Sequence, residues 1–321
     1  MSQSNRDNKR IARERIAAAQ EAQRKQERRR RQWIIGGVAI VVIGAIVGIG
    51  VAVSGSKSSS SSSAFAAPTG AVVDTYVNDT THTGKPTAIE YGSASAKVTM
   101  TVFEDVRCPF CDIFELGARD IYKKYVDAGE VKVDFHLVKL IDINDQASGA
   151  NASGSRTGGS AVACAQNAGL FDAYHDVVYS NQPPETTDTF SNPTTLIDLA
   201  KQVPGLDTPT FENCVKKVTY GGFVDQNWTD FNTLKLTGTP TVELNGTAMT
   251  SAQMFSSTST AGVTANTTAD GSGANTTEIN SLLQAAVTKA YGTSTPAPWS
   301  GASASASSSA AASTSASATA S

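Results

Sequence analysis

The sequence predicts an α/β domain with a helical insertion, preceded by one N-terminal transmembrane helix. Three observations support this fold class. A β-rich run leads directly into a helical pattern over residues 98–126, and about 75 residues of helical pattern then separate it from a further strand. Residues 33–53 form a run of 21 residues without a charged side chain.

The N-terminal segments predict membrane topology. Residues 1–32 contain eleven Lys or Arg and four Asp or Glu, a net charge of +7, in a chain whose total is −3. Residues 33–53 are long enough to cross about 30 Å of hydrocarbon as a helix. Because four arginines at 28–31 precede this run, we expect a cytoplasmic N-terminus and an extracytoplasmic remainder. A cleaved signal peptide is the alternative, but its apolar core usually has only about 7 to 15 residues. We therefore expect a single-pass anchor in the cell membrane.

The composition divides the rest of the chain into three parts. Residues 54–84 are predicted to be a Ser-rich flexible linker, and residues 293–321 a disordered tail of mostly Ser and Ala. Residues 85–292 are expected to form the folded domain, with the helical insertion at about 155–235. Within that domain, residues 256–277 are predicted to be a low-complexity surface loop.

The elements of the folded domain follow from hydrophobic periodicity. Short β-rich runs predict strands, and apolar residues at three- and four-residue spacing predict helices. The predicted strands are 88–91, 98–104, 131–140 and 241–244, the last followed by a turn at Asn245-Gly246. The predicted helices are the one after residue 108, a helical stretch from 160 to 178, and 193–203, 209–218, 222–234 and 277–291.

The sequence Cys108-Pro109-Phe110-Cys111 lies where a predicted strand ends and a predicted helix begins. A thiol in the first helical turn faces unpaired N–H groups and the positive end of the helix dipole, so its pKa falls. Pro109 suits the first helical position, where no N–H is needed. Two intervening residues allow a reversible disulfide within one turn, which indicates a redox site.

Two other interpretations of this motif remain open. The pair is either a structural disulfide or one half of a zinc site, but zinc would need a second CxxC or paired histidines nearby. The three histidines, His82, His136 and His175, are too scattered in sequence for a metal site, and we expect His175 to be a helix-packing residue. No metal and no cofactor is predicted.

Gly238-Thr239-Pro240 precedes the predicted strand 241–244. A proline there removes one ladder hydrogen bond, so the site needs an unusual local geometry. A cis peptide in a tight turn is one solution, although sequence alone does not favour it.

The segments 102–111 and 238–241, with a helical region between them, are similar to the DsbA-like thiol:disulfide oxidoreductases of the thioredoxin superfamily. Segments 171–176 and 181–183 also resemble the membrane-anchored actinobacterial members. The resemblance covers about residues 88–292 and implies a thioredoxin-like fold.

The resemblance also implies the roles of individual residues. Cys108, Pro109, Phe110 and Cys111 would form the redox-active centre. Thr239 and a cis Pro240 would lie beside it and bind substrate, the Thr239 backbone pairing with an extended client.

The family's buried acid six residues before the first cysteine is absent, because Val102 occupies that place. Glu104 and Asp105 lie nearer, and neither is assigned a role.

Cys164 and Cys214 lie on two predicted helices of the insertion, 50 residues apart. An even number of cysteines in an oxidising compartment suits one catalytic and one structural pair. We therefore predict a structural disulfide between them. A second catalytic pair is less favoured, because neither cysteine opens a helix or has a CxxC partner.

The function expected from the sequence is the introduction of disulfides into reduced secreted or cell-envelope proteins. Cys108 is expected to be the exposed, attacked sulfur and Cys111 the buried resolving one. A membrane oxidase, VKOR-like or DsbB-like, would restore the disulfide, and no nucleic-acid partner is expected. The alternatives are a disulfide reductase or isomerase that uses the same site, and an anchored chaperone-like binding module whose CxxC is structural.

Overall fold

The computed structural model describes residues 64–256, 271, 273–292 and 294–299. In this part of the chain, a mixed sheet has the strand order β1-β2-β4-β3-β5-β6. Strands β3 and β4 run parallel, and the other neighbouring pairs run antiparallel. The strands are β1 (Ala71–Val72), β2 (Ala88–Gly92), β3 (Val98–Glu104), β4 (Val131–Leu137), β5 (Thr241–Leu244) and β6 (Thr247–Ala248).

The helices lie mainly between β4 and β5, which confirms the α/β class with a helical insertion. They are α1 (Thr75–Thr81), α2 (Pro109–Asp127), α3 (Leu140–Ala147), α4 (Gly154–Gln166), α5 (Phe171–Ser180), a 3-10 helix (Thr189–Ser191), α6 (Pro193–Ala200), α7 (Pro209–Lys216), α8 (Gly221–Thr233), α9 (Ser251–Met254) and α10 (Thr276–Tyr291). Helix α2 joins the parallel strands β3 and β4, because parallel neighbours need a crossover connection.

Helix α2 begins and ends where the sequence chemistry requires. Cys108 is its N-cap with an extended backbone, and Pro109 is at the first helical position. Gly129 follows the helix with φ +74°, a left-handed conformation that glycine adopts without steric cost and that turns the chain into β4. One apolar face of the helix packs on the sheet, where Phe114 and Val102 are fully buried.

The helical insertion begins earlier than predicted. The strand expected to reach Leu140 ends at Leu137, and α3 already begins at Leu140. The Ile141 N–H donates to Asp105 Oδ2 at 2.9 Å, which holds the first turn of α3 beside the end of β3. This contact spans 36 residues, so a local pattern does not reveal it.

The folded part also begins before the predicted boundary at residue 85, since β1 and α1 lie within the predicted linker. Strand β1 pairs with β2. Asp74 caps α1 by accepting from the N–H groups of Tyr76 and Val77, and its other oxygen accepts from the Thr101 hydroxyl at 2.9 Å. Strand pairing with the sheet orders this segment. Amino-acid composition alone does not reveal such pairing.

The start of the predicted tail also packs on the domain. The Trp299 N–H donates to the Asp127 carbonyl at 3.0 Å, and its ring meets Tyr91 edge to face at 4.9 Å. A single aromatic side chain thus holds a Ser/Ala-rich segment against the fold.

Several predicted segments lie outside the described residues. These are the basic segment 1–32, the transmembrane helix 33–53, the linker up to residue 63, most of the loop 256–277 and the tail from residue 300. Among the residues that are described, no helix has the length and apolarity needed to span a bilayer.

A disulfide joins Cys164 in α4 to Cys214 in α7, with their Cα atoms 6.0 Å apart. It connects two helices of the insertion and lies away from the CxxC pair in sequence.

Candidate active site

The CxxC pair lies at the start of α2, directly after the central strand β3. Cys108 and Cys111 are free thiols with 5% and 0% of their surfaces exposed. Cys108 is therefore the more accessible sulfur, but it is mostly covered rather than exposed as the sequence analysis expected. The helical insertion covers this edge of the sheet, and its position could not be inferred from the motif.

The loop before β5 lies against Cys108. The Thr239–Pro240 peptide is cis, and the Cys108 thiol donates to the Thr239 carbonyl oxygen at 3.3 Å. The structure thus brings Cys108 and Cys111 together with Thr239 and Pro240. The contact between Cys108 and Thr239 joins residues that are 131 positions apart in sequence. Their catalytic and binding roles stay predictions.

A cleft opens beside Cys108. Its volume is about 360 Å³, and its lining combines five apolar side chains with backbone, threonine and serine polar groups. Phe110 is half-buried and packs against Phe255 with ring centroids 5.5 Å apart. The other apolar side chains of the lining are Pro240, Met249 and Met254. Methionine and aromatic side chains adapt to varied apolar partners.

The two thiols are electrostatically unequal. The pKa of Cys108 is lowered, chiefly because the Cys111 thiol donates to its sulfur. Burial opposes this, and hydrogen bonding to Thr239 and to the Cys111 backbone N–H lowers the pKa further. The pKa of Cys111 is raised well above its usual value, first by burial and then by the hydrogen bond and charge of Cys108. These opposite shifts make Cys108 the more readily ionised thiol of the pair.

The loop that carries Cys108 is fixed by the insertion. Gln182 Nε2 donates to the carbonyl oxygens of Val106 and Cys108 at 2.9 and 3.1 Å. The buried Arg107 binds Asp142 at 2.9 Å and two further carboxylates, Asp145 and Asp188. Since buried guanidinium groups are stable only when paired, this network ties the CxxC loop to the insertion.

A buried polar cluster lies at the end of β3, beside the CxxC helix α2. Atoms of Glu104, Glu115 and His175 lie within 4.8 Å of one another, and His175 Nε2 binds Glu104 Oε1 at 2.7 Å. Although burial opposes it, the Glu104 carboxylate raises the pKa of His175 to about 9. A protonated imidazole donates to the Glu104 carboxylate, so these side chains form a charged, hydrogen-bonded network.

Sequence reasoning missed two features of the site. His175 packs on Phe135, Phe171 and Tyr179, as expected of a helix-packing residue. Its ring is also hydrogen bonded to Glu104, which was assigned no role. Gln182 was noted only as part of a family-like segment. The His175–Glu104 contact spans 71 residues and the Gln182–Cys108 contact 74, so no local pattern reveals them. The only sequence signal for this part of the site was the charge of Glu104 at the end of a predicted strand.

A CxxC pair at the start of a helix, beside a central parallel strand and facing a cis-proline loop, defines a thioredoxin-fold redox protein. The chain belongs to the thioredoxin family, whose model matches residues 84–261, more than half of its length. This confirms the predicted thioredoxin-like fold and the assignment to the DsbA-like thiol:disulfide oxidoreductases.

The relatives agree with this class. The "disulfide bond formation protein D" of Bacillus subtilis is 28% identical over 158 residues, 48% of this chain and 66% of that protein. The "probable disulfide bond formation protein D" of Bacillus cereus is 24% identical over 183 residues, 55% of this chain and 81% of that protein. The reduced DsbA of Mycobacterium tuberculosis is a similar solved structure, with a TM-score of 0.43 and 25% identity over 51% of this chain and 84% of that one.

Proposed function

We propose that this chain introduces disulfides into secreted or cell-envelope proteins through the Cys108–Cys111 pair. The observation that carries this proposal is the position of Cys108, which caps the N-terminus of α2 and contacts the cis Thr239–Pro240 loop, and whose thiol pKa is lowered. A stabilised Cys108 thiolate favours the reduced form of the pair, and this makes its disulfide a strong oxidant. The names of both curated relatives support the same reaction.

The reaction balances as two exchanges. A client thiolate attacks Cys108, breaks the Cys108–Cys111 bond and leaves the Cys111 sulfur with the electron pair and then a proton. A second client thiolate attacks the client sulfur of this mixed disulfide. The client gains a disulfide, and Cys108 leaves as the stabilised thiolate.

Client binding is proposed at the Thr239–Pro240 loop and the adjoining cleft. Pro240 has no N–H that would compete with a client for the Thr239 backbone. An extended client segment can pair with the Thr239 backbone while its apolar side chains contact Phe110, Met254 and Phe255. Such contacts suit unfolded proteins of varied sequence, because they depend on backbone and apolar surface.

The proposed location is outside the cell membrane, with residues 33–53 as the anchor. A membrane oxidase, VKOR-like or DsbB-like, would then remove the electrons from the Cys108–Cys111 dithiol. Anchoring both proteins in one membrane raises their effective concentration for this encounter.

The direct test is oxidation of a reduced, unfolded model protein by the oxidised full chain. We expect rapid formation of client disulfides by the wild type and none with Cys108→Ser. A reduction potential near that of thioredoxin, about −270 mV, with greater activity on a disulfide-bonded client, would instead indicate a reductase. If Cys108→Ser retained full activity, the CxxC would be structural and the chain a binding module.

The location needs a separate measurement. A membrane-impermeant maleimide should label Cys108 in intact cells after reduction with a permeant reductant. Labelling that appears only after lysis would place the domain in the cytoplasm and overturn the proposed location, whatever the enzyme does in solution.

A further inference from the structure

A segment of the insertion, residues 182–188, crosses the loop that carries Cys108. It follows α5 and leads into the 3-10 helix. Gln182 is 8% exposed, and its Nε2 donates to the carbonyl oxygens of Val106 and Cys108 at 2.9 and 3.1 Å. Because both partners are acceptors, the Gln182 amide faces them with its two N–H groups. Both hydrogens of this amide are thereby used on the CxxC loop.

The Cys108 carbonyl marks the point where this loop becomes a helix. It also accepts from the N–H of Asp112 at 3.1 Å, the first main-chain hydrogen bond of α2. Cys108 itself has an extended backbone, with φ −78° and ψ 121°. Cysteine is not among the side chains that commonly cap helices, which are Ser, Thr, Asp and Asn. The junction therefore depends on contacts from outside the helix, and Gln182 supplies one.

The direction of the Cys108 carbonyl is linked to the surroundings of the Cys108 sulfur. Rotation about ψ of Cys108 turns this carbonyl and moves the first N–H groups of α2 relative to the Cys108 side chain. A thiolate at a helix N-terminus is stabilised by those N–H groups and by the helix dipole, and the dipole effect falls off within one turn. A residue that fixes the carbonyl therefore helps to keep the sulfur where the helix stabilises its charge.

Arg107 strengthens the same attachment through its side chain. Its guanidinium donates to the Glu185 carbonyl at 3.0 Å and binds Asp188 at 3.1 Å, both within residues 182–188. Gln182 instead binds the main chain on both sides of Arg107. The segment thus holds both the side chain and the main chain of this loop, and Gln182 is the residue that acts on the cysteine.

The two redox forms differ in their need for this support. In the oxidised form, the bond to Cys111 fixes the position of the Cys108 sulfur covalently. In the structure both thiols are free, and the position of the Cys108 sulfur depends on the backbone that carries it. The Gln182 hydrogen bonds hold that backbone. Their loss should therefore destabilise the reduced form more than the oxidised form.

We propose that Gln182 is a positioning residue of the redox site, whose amide holds the Val106 and Cys108 carbonyls so that the Cys108 thiolate stays at the N-terminus of α2. Gln182 thereby stabilises the reduced form and makes the Cys108–Cys111 disulfide a stronger oxidant. It acts through the loop rather than on the sulfur atoms. The inference rests on the thiol exchange proposed above.

The test is redox equilibration of the full chain with glutathione at pH 7. Two glutathione thiols pass two electrons and two protons to the Cys108–Cys111 disulfide, which becomes a dithiol while glutathione becomes its disulfide. Mass spectrometry after alkylation with a maleimide measures the reduced fraction. Gln182→Met keeps the length of the side chain and removes both donors. We expect the equilibrium constant for reduction of this variant to fall by about 2- to 10-fold, the effect of about one hydrogen bond.

Urea unfolding of both redox forms separates this role from a merely structural one. A contact that only supports the fold contributes equally to the two forms, so its loss leaves the equilibrium constant with glutathione unchanged. Under the proposal, Gln182→Met destabilises the reduced form more than the oxidised form. Equal destabilisation with an unchanged equilibrium constant would overturn the inference, and so would an equilibrium constant that rises.

If Gln182→Met does not fold, Gln182→Asn serves as the second variant. It keeps the amide, but its side chain is one methylene shorter and cannot reach both carbonyl oxygens at once. We expect a fall of at least about twofold in the same equilibrium constant. A value equal to that of the wild type would contradict the proposal.

Gln146→Met is the matched control. Gln146 belongs to α3, and its Nε2 likewise donates to a backbone carbonyl, that of Ala152 at 2.7 Å in the loop before α4. We expect this variant to leave the equilibrium constant unchanged, and a fall equal to that of Gln182→Met would contradict the proposal. A wild type unable to oxidise the model protein would refute the proposed function, whereas an active wild type with an unaffected Gln182→Met would refute only this inference.

Discussion

Cys111 lies in the same helical turn as Cys108 and donates the hydrogen bond that most lowers the Cys108 pKa. The Cys108 thiol also donates to the Thr239 carbonyl, which favours the neutral form, but that bond is long at 3.3 Å. The hydrogen bond from the Cys111 thiol is the largest of the causes that lower the pKa of Cys108. The reactivity of Cys108 therefore depends on a residue within the same helical turn.

We predict that Cys111→Ala slows alkylation of Cys108 by iodoacetamide at pH 7 by about tenfold. A hydrogen bond to a charged group contributes about 1.5 kcal/mol, close to the energy of a tenfold change. Initial rates of alkylation, followed by mass spectrometry on the reduced protein, measure this. Cys111→Ser retains a donor of similar size and should stay within about threefold of the wild type. Equal rates in both variants would show that the donor has no influence.

The residues that could be found from sequence are those whose chemistry is local. Cys108, Pro109 and Cys111 are adjacent at a strand–helix boundary, and Thr239-Pro240 is a short motif that a family resemblance locates. The Glu104–His175 pair spans 71 residues and forms only when α5 packs against β3. No local pattern distinguishes such a histidine from a core histidine.

At the scale of elements, long-range anchors decide where the folded domain begins and how the insertion is held. Hydrophobic periodicity placed α2, α6, α7 and α8 within a few residues, because amphipathic patterns are local, but it missed α3 and the start of α4. The Cys164–Cys214 bond holds α4 against α7, and the Asp74 cap holds α1 against the sheet. Both depend on partners that are distant in sequence.

We predict that the double variant Cys164→Ala/Cys214→Ala loses about 4 kcal/mol of unfolding free energy, an upper value from closing a 50-residue loop. Urea unfolding of the full chain, followed by circular dichroism, measures the loss. The control Cys108→Ala/Cys111→Ala spans a loop of only a few residues and should lose much less. Equal losses would mean that the structural bond does not constrain the unfolded chain.

The Asp74 cap supports a second element prediction. Asp74→Ala removes a buried carboxylate that caps α1, binds Thr101 and pairs with His136, so we expect a loss of about 2–4 kcal/mol in urea unfolding. Asp79→Ala, an exposed position in the same helix, should change stability by less than about 0.5 kcal/mol. A small effect at Asp74 would show that α1 docks without its cap.

At the scale of the whole molecule, buried titratable groups make stability depend on pH with a definite sign. Burial raises the pKa of Asp134 to about 6, of Asp105 to about 7 and of Glu115 to about 8. His175 is raised to about 9 against the effect of burial, by Glu104. Because each group binds protons more tightly in the folded chain than in the unfolded one, all four favour folding at low pH.

Asp74 makes the stability depend on pH in the opposite direction. Despite burial, its hydrogen bond and charge interaction with His136 lower its pKa below 3.8, so its contribution is present above that pH and is lost as pH falls further. The His175 contribution is complete below pH 6.5 and is lost as pH rises through about 9. Together these signs place maximal stability on the acidic side of neutrality.

We therefore predict that the unfolding free energy falls between pH 5 and pH 9, with Glu115 alone contributing up to about 4 kcal/mol, since one unit of pKa shift corresponds to about 1.4 kcal/mol. Urea unfolding at pH 5, 7 and 9 measures this. Glu115→Gln cannot titrate and should flatten the decline between pH 5 and pH 8, whereas Asp120→Asn, exposed on the same helix, should leave it unchanged. A stability that is constant or rises toward pH 9 would mean that these carboxyl groups are hydrated in solution. Their pKa values would then be near normal, and the buried network beneath Cys111 would not hold protons at neutral pH.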